Sequence, residues 1–431
     1  MPQAEEVGLA KLSGSDRWVT VMLATVMFTS GVDMLVMTPI LPQLAKELGV
    51  NVSVAGLWIT AYAGSTALFA LIFGPISDHW GRRRVLVLGL LVLALGTLCC
   101  AWAEDHPLML GARVLAGAGA GMLVTSTTSF AGDHFGKNER AVAIGHVMNG
   151  FFLSLILGMP IGAWLSATFG WQRMFLVLAG VAGLGALGVA FTIPEPRHEQ
   201  RSLQLSLGHA LGSYRSLLAD RRVVGVLLMS AAIGLSMTMY SVYTSPWLEL
   251  VYGLDTGHRG LVYAVGGPAI FVGGPVAGRL SDRFGRVRVI VIGSVVMGVL
   301  QLVMPACGLL SNTIEAHLPA GLVTFGSRAW PVALPPLFAF FVAMAAGAAR
   351  SGPYQTLAIE VTAPEQRGAQ AAMRNACNQA GTSFGAALGG ILWASAGYSA
   401  VCVVAAAVTV LGAVALLVFL RIPTPSGSTW P

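Results

Sequence analysis

Residues 74–84 read Gly74-Pro-Ile-Ser-Asp78-His-Trp-Gly81-Arg82-Arg83-Arg84, and the pattern returns as Gly278-Arg-Leu-Ser-Asp282-Arg-Phe-Gly285-Arg286-Val-Arg288. Each copy stands between two long apolar runs. A second repeated pattern pairs Gly158, Gly162 and Gly170 with Gly385, Gly389 and Gly397. The chain is therefore a parallel internal duplication. The two copies of the second pattern lie farther apart in the chain than the two copies of the first. We therefore predict an insertion in the second half, at residues 309–331.

The composition is that of a protein whose solvent is lipid. Hydrophobic residues make up 55% and charged residues 10% of the 431 residues, and the mean hydropathy is +0.74. Soluble domains carry about 25% charged residues. The net charge of +6 lies in short clusters between apolar runs, which indicates membrane orientation rather than nucleic-acid binding. The five cysteines lack the spacing of a disulfide framework or a metal site, so we interpret them as core residues and expect no metal and no cofactor.

Twelve apolar runs are long enough to cross a bilayer as helices. These predicted spans 1 to 12 cover residues 18–42, 52–77, 84–103, 107–131, 141–167, 171–193, 223–248, 257–280, 287–308, 332–358, 366–393 and 398–421. They form an N-terminal bundle (18–193) and a C-terminal bundle (223–421), joined by a polar linker (194–222) and flanked by tails at 1–17 and 422–431. Lys and Arg are concentrated on the side of the tails, which predicts that both termini are cytoplasmic.

The motif Gly74-x-x-x-Asp78-x-x-Gly81-Arg82-Arg83, its second copy and the six-plus-six layout resemble the major facilitator superfamily over nearly the whole chain. The resemblance implies an all-α integral membrane protein with two six-helix bundles, each built of 3+3 inverted repeats. It implies a substrate site between the bundles near the middle of the membrane. It also implies a monomeric secondary transporter that works by alternating access in the cytoplasmic membrane of a bacterium.

The charged loop after span 2 is expected to form a gate on the cytoplasmic side. In the family, the Asp of this loop faces a helix end of the opposite half, and an Arg pairs with an acid at the end of span 4. Gly74 and Gly81 permit close turns there. The repeat adds a second copy of the charges after span 8, and the complete set is Asp78, Arg82, Arg83, Arg84, Asp133, Arg140, Asp282 and Arg286. The alternative is that these arginines only fix the topology.

Asp33 in span 1 is the one carboxylate that lies well inside a predicted span. An ionisable group there is costly and is a functional candidate. Burial disfavours the charged form of a carboxyl group and a nearby arginine favours it, so the conformation can control whether a proton is bound. Arg113 in span 4 lies at a similar depth, and Arg113-x-x-x-Gly117 resembles the span 4 motif of proton-coupled members, with Ala116 in place of the usual Gln. A purely structural Asp33–Arg113 pair is the alternative.

Span 5 resembles the antiporter motif of exporters through Gly150, Gly158, Pro160 and Gly162, although it reads Gly-Met-Pro-Ile-Gly instead of the usual Gly-Pro pair. The motif favours export, whereas close helix packing is the alternative role of such small residues. The candidates that line the cavity are Tyr62, Asn149, Tyr240, Tyr243, Arg374, Asn375 and Asn378. If Arg374 faces the cavity rather than the cytoplasmic headgroups, it favours an anionic or zwitterionic cargo.

Other classes of function lack the residues that they need. Lys11, Lys46 and Lys137 do not stand in G-x-x-x-x-G-K-[ST], so ATP-driven transport is excluded. The histidines are scattered, mostly in loops, so we predict that the protein is not an enzyme. We expect proton-coupled efflux of a small organic molecule, either a drug or a metabolite. The second interpretation is proton-coupled or facilitated uptake, and a distant third is a non-transporting sensor, which would be expected to carry an extra terminal domain.

Overall fold

The computed structural model describes residues 14–136, 139–194, 207–315, 324–325, 328–363 and 366–421. The predicted C-terminal tail, most of the N-terminal tail, and parts of the linker and of the predicted insertion lie outside the described residues, as does the side chain of Asp78. We call the two sides of the molecule inner and outer, after the orientation that the distribution of Lys and Arg predicts.

The first half consists of six spans. Span 1 is α1 (Gly14–Leu35) and α2 (Met37–Glu47), span 2 is α3 (Val52–Trp80), span 3 is α4 (Arg82–Ala101), span 4 is α5 (His106–His134), span 5 is α6 (Arg140–Leu153), a π-helical turn (Ser154–Gly158) and α7 (Met159–Phe169), and span 6 is α8 (Trp171–Thr192). Together with the six spans of the second half, described next, these six spans confirm the prediction of an all-α protein with twelve spans.

The second half repeats this plan. A linker helix, α9 (Leu207–Ala219), precedes span 7, α10 (Arg221–Tyr252), span 8, α11 (Thr256–Phe284), span 9, α12 (Arg286–Glu315), span 10, α13 (Trp330–Glu360), and spans 11 and 12, which are the two parts of α14 (Arg367–Arg421). The strands β1 (Thr324–Phe325) and β2 (Arg328–Ala329) pair antiparallel between spans 9 and 10. Ten helices in the described part are long and apolar enough to cross a membrane. Because α14 contains two spans and α11 occupies the position of span 8, the total is twelve.

The duplication is visible in how the spans begin and end. Gly81 and Gly285 have φ values of 95° and 85° at equivalent turns, and Gly170 and Gly397 have 87° and 72°. This region of φ is readily available only to glycine, which explains why the sequence repeats glycine there. Span 2 begins at an N-cap in which Asn51 accepts a hydrogen bond from a backbone N–H, and the equivalent N-cap of span 8 is an aspartate.

Two segments differ from the predicted boundaries. Span 9 continues as a helix to Glu315 and span 10 begins at Trp330, so the segment between them is shorter than the predicted insertion at 309–331. The apolar residues Leu309 and Leu310 extend the helix beyond the predicted end. The predicted polar linker contains α9, whose Leu217 packs with Val223, Leu227 and Met373 of the C-terminal bundle.

The two bundles are in contact near their outer ends. Thr60 of span 2 and Ser383 of span 11 donate hydroxyl hydrogen bonds to each other's backbone carbonyls, at 3.2 and 2.9 Å. The carbonyl of Pro39 in span 1 accepts from Ser245 Oγ of span 7 and from Arg259 Nε of span 8, at 3.3 and 3.1 Å. These hydrogen bonds close the outer side of the interface between the halves.

Candidate functional site

A buried ion pair connects spans 1, 3 and 4. Arg113 Nη1 lies 3.1 Å from Asp33 Oδ2, and Arg113 Nη2 donates to the backbone carbonyl of Asp33 at 3.3 Å. Thr97 Oγ1 of span 3 donates to the second carboxylate oxygen, Oδ1, at 2.8 Å. The side chains of Asp33 and Arg113 are 2% and 1% exposed. Removing either charge alone leaves the other buried without its partner, which is strongly unfavourable.

Tyr62 of span 2 covers the arginine of this pair. The ring centroid lies 4.1 Å from Arg113 Cζ, which is the geometry of a cation–π contact. A Cβ at Gly117 would overlap the backbone carbonyl of Tyr62, so the close approach of spans 2 and 4 requires the glycine. Tyr62 is 2% exposed, and the structure places it with the ion pair rather than at an open cavity surface.

The glycines of span 5 pack against span 1 on both sides of Asp33. A Cβ at Gly150 would overlap the backbone of Ala24, and a Cβ at Gly158 or Gly162 would overlap a valine side chain of span 1. Pro160 stands in the first turn of α7, directly after the π-helical turn. Such turns occur frequently at functional sites.

The inner charges form ion pairs within each half. Arg82 at the start of span 3 pairs with Asp133 at the end of span 4, as the resemblance implied, and Arg83 donates to the carbonyl of Ala190 in span 6. In the second half, Arg286 pairs with Glu360 at the end of span 10. The sequence analysis did not identify Glu360. The internal repeat could have identified it, because Glu360 is as far from Asp133 in the chain as Gly385 is from Gly158.

Several predicted gate residues have exposed positions at the inner ends of the spans. Arg84, Arg140 and Asp282 are exposed, and Gly74 is partly buried in the last turns of span 2. Asp78 lies in the same turns by its backbone. In this conformation, with the outer side closed, the described ion pairs of the gate do not join the two halves.

The predicted cavity residues fall into two groups. Tyr240 and Tyr243 of span 7 are fully buried in the outer part of the C-terminal half, where Tyr240 stacks on Phe340 and the Tyr243 hydroxyl donates to the carbonyl of Ala386 at 2.7 Å. The residues of span 11, together with span 5, lie nearer the inner side. In this second group Asn149 is exposed, and Arg374, Asn375 and Asn378 are partly buried.

Arg259, near the outer start of span 8, is a site residue that the sequence analysis did not identify. It is 2% exposed, pairs with Glu249 at the end of span 7, and donates to Thr256 and to Pro39 of the opposite half. Thr256 in turn donates to Gln43 Oε1 of span 1 at 2.9 Å. A hydropathy pattern cannot distinguish such an interface residue from an exposed loop arginine.

Comparisons with known proteins identify the family. The model described as the Major Facilitator Superfamily matches residues 23–352. The chain belongs to this superfamily. Members are transporters and not enzymes, and this member is a multi-pass membrane protein.

Curated relatives and solved structures agree with this assignment. The uncharacterized MFS-type transporter YceJ of Bacillus subtilis is 26% identical over 371 residues, covering 86% of this chain and 88% of that protein. The chloramphenicol resistance protein of Streptomyces lividans is 28% identical over 264 residues, covering 61% and 66%. A crystal structure of a bacterial homologue of the human lysosomal transporter Spinster, inward-facing and occupied, aligns with a TM-score of 0.70 at 16% identity over 95% of this chain and 98% of that one. The superfamily fold therefore extends over nearly all of this chain.

Proposed function

We propose that this superfamily member is a proton-coupled secondary transporter that exports a small organic molecule by alternating access. The observation that carries the proposal is the sealed Asp33–Arg113 pair with Thr97 on the second carboxylate oxygen. A carboxylate and an arginine buried together within the spans are costly unless the protein uses the charge. A proton is the simplest ligand that removes the negative charge and releases the arginine.

The contacts suggest how proton binding would move helices. A proton on Asp33 ends the ion pair, which weakens the link between spans 1 and 4. Span 5 follows span 1, because Gly150, Gly158 and Gly162 leave no space between the two helices. Span 5 also contacts span 8, where a Cβ at Gly260 would overlap Ala163. The proton site is thereby connected to the interface between the halves.

Two observations support export as the direction of transport. The glycines of span 5 resemble the antiporter motif, and one relative is a chloramphenicol resistance protein. Proton-coupled or facilitated uptake is the second candidate, because import and export share one fold. We further propose that the protein works as a monomer in the bacterial cytoplasmic membrane with both termini inside, on the evidence of the Lys and Arg distribution.

The test begins with the cargo. An efflux-deficient bacterial strain that expresses the protein is screened for altered tolerance to drugs and metabolites, and a compound that scores is followed in proteoliposomes with an imposed pH gradient. The wild type should accumulate or expel it according to the gradient. Asp33→Asn should insert normally but lose gradient-driven transport, whereas Asp133→Asn, at an exposed ion pair, should retain most of it. Full active transport by the Asp33→Asn variant would refute proton coupling at this site.

A further inference from the structure

Several buried hydrogen-bond donors in the inner part of the C-terminal half have no acceptor among the residues that the structure describes. Arg350 of span 10 is 2% exposed, and its Nε and Nη1 atoms are buried without an acceptor in the described part of the chain. On span 11 the same is true of Arg374 Nε, Gln370 Nε2 and Asn375 Nδ2. Buried polar groups in native proteins are almost always satisfied, and each one that is not carries a free-energy cost. All of these atoms are nitrogens that can donate a hydrogen bond.

Tyr354 links the two arginines. The Arg374 Cζ atom lies 5.8 Å from the centroid of its ring, and Tyr354 interacts electrostatically with both Arg350 and Arg374. The tyrosine is fixed by a hydrogen bond from its hydroxyl to the Val226 carbonyl of span 7, at 2.7 Å. Arg350 precedes Tyr354 by one helical turn, and Gln370 precedes Arg374 by one turn, so each pair shares a helix face. Arg350 and Arg374 therefore lie near Tyr354, with Gln370 on the same face of span 11 as Arg374 and Asn375 next to Arg374 in the chain.

In the described part of the chain, the two arginines of this region lack a carboxylate partner. Arg113, Arg259 and Arg286 each have a carboxylate partner, whereas neither Arg350 nor Arg374 has one among the residues that the structure describes. Two cations near one tyrosine inside the spans repel each other, and a nearby anion would offset this repulsion.

Packing does not require an arginine at this position. The duplication places Leu123 of span 4 at the equivalent of Arg350, and Leu123 packs on Gly89 as Arg350 packs on Gly293. A leucine therefore fills the same space in the N-terminal half. The charge in the C-terminal half needs another explanation.

We propose that Arg350, Gln370, Arg374 and Asn375 bind the carboxylate of a small organic acid, and that this acid is the transported molecule. The identity of the cargo rests on the proposed transport function, whereas carboxylate binding does not. A guanidinium group offers paired donors that match the two oxygens of a carboxylate. Arg350 lies about 15 Å along the helix from the inner end of span 10, at ~1.5 Å per residue. That depth favours a cargo that enters between the halves over the headgroup of a membrane lipid.

The experiment measures binding by the full-length protein in detergent, without any gradient. Thermal unfolding is followed with benzoate and succinate at millimolar concentration, each against its uncharged amide. The acids should raise the unfolding temperature by on the order of 2 °C, and the amides should not. Arg374→Gln and Arg350→Leu should each eliminate the shift. Arg350→Leu should also raise the unfolding temperature of the ligand-free protein, because it removes a buried unpaired charge.

Arg288→Gln, at an exposed inner position of span 9, is the matched control and should keep the shift. The proposal is overturned if neither acid gives a shift, if the amides match the acids, or if Arg350→Leu and Arg374→Gln keep it. It is also overturned if inorganic phosphate, or nanodiscs of phosphatidylglycerol instead of phosphatidylcholine, abolish the response to the acids. Asp33→Asn should bind the acids normally, so a failure of proton coupling is distinguishable from a failure of carboxylate binding.

Discussion

The Asp33–Arg113 pair should show strong energetic coupling when it is broken from either side. The perturbations are Asp33→Asn, Arg113→Met and the double variant. Asp33→Asn keeps the shape of the side chain and can still accept from Thr97, but it leaves Arg113 charged at 1% exposure. Arg113→Met leaves the carboxylate charged, with Thr97 as its remaining side-chain donor. The double variant removes both charges.

The magnitudes follow from what remains around each charge. Breaking a buried pair from one side costs about 3–5 kcal/mol. Asp33→Asn should fall near the lower value, because Arg113 keeps the backbone carbonyl of residue 33 and the ring of Tyr62. Arg113→Met should fall near the upper value. The double variant should lie closer to the wild type than either single variant, since no charge is left buried. Single costs of about 3 and 5 kcal/mol then imply a coupling energy of about 5 kcal/mol or more.

The assay is equilibrium unfolding of the purified protein in mixed micelles, with far-ultraviolet circular dichroism against the fraction of SDS. The control is Asp133→Asn, which breaks the Arg82–Asp133 pair, where the aspartate side chain is 42% exposed. An exposed pair contributes about 0–1 kcal/mol. The buried pair is not coupled as expected if Asp33→Asn costs no more than this control, or if the two single effects simply add in the double variant.

Three further predictions concern packing and the two gates. Gly150→Ala should lower the free energy of unfolding by about 1–3 kcal/mol, because its Cβ overlaps the backbone of span 1, whereas Gly145→Ala enters open space and should be neutral or stabilising; equal effects would contradict this packing. Arg259→Gln should widen the outer distances between spin labels on the two halves, and an unchanged distribution would exclude an outer lock. Asp78→Ala and Asp282→Ala should increase the inward-open fraction in the same measurement, and no shift from either would leave these charges as topology signals.

The sequence was sufficient for the features that have strong periodic or repeated signals. Long apolar runs predict spans, because the bilayer demands a fixed helix length. The ion pair between Asp33 and Arg113 was predictable because charges inside spans are rare and the two lie at similar depth. The ion pair of Glu360 could have been predicted from the repeat, because Glu360 corresponds to Asp133 of the first half.

Other features depend on three-dimensional packing that no single segment records. Thr97 is a hydroxyl within an apolar run, and its role appears only when span 3 lies beside Asp33. The burial of Tyr62 results from the contact of spans 2 and 4 at Gly117. In the sequence, Arg350 is one positive charge in the inner part of span 10 and indicates only orientation. Its lack of an acceptor among the described residues is a property of the folded bundle.

The duplication allows the two halves to be compared position by position. Thr97 in span 3 corresponds to Gln301 in span 9, at the offset that separates Gly74 from Gly278. Thr97 binds the carboxylate of span 1, whereas Gln301 Nε2 donates to Ser236 of span 7 at 3.1 Å. Span 3 thus contacts span 1 through a charged group in the first half, whereas span 9 contacts span 7 through neutral groups in the second.

The partner of the carboxylate changes in the same way. Arg113 corresponds to Phe340, at the offset that separates Gly158 from Gly385, and Phe340 stacks on Tyr240 of span 7 with 6.0 Å between the ring centroids. An aromatic stack does not respond to protons, whereas a carboxylate beside an arginine does. The proposed coupling therefore has its proton-sensitive element in the N-terminal half, and the C-terminal half keeps a fixed scaffold around Arg350 and Arg374. A transporter built in this way can change conformation through one half while it recognises the charge of its cargo through the other.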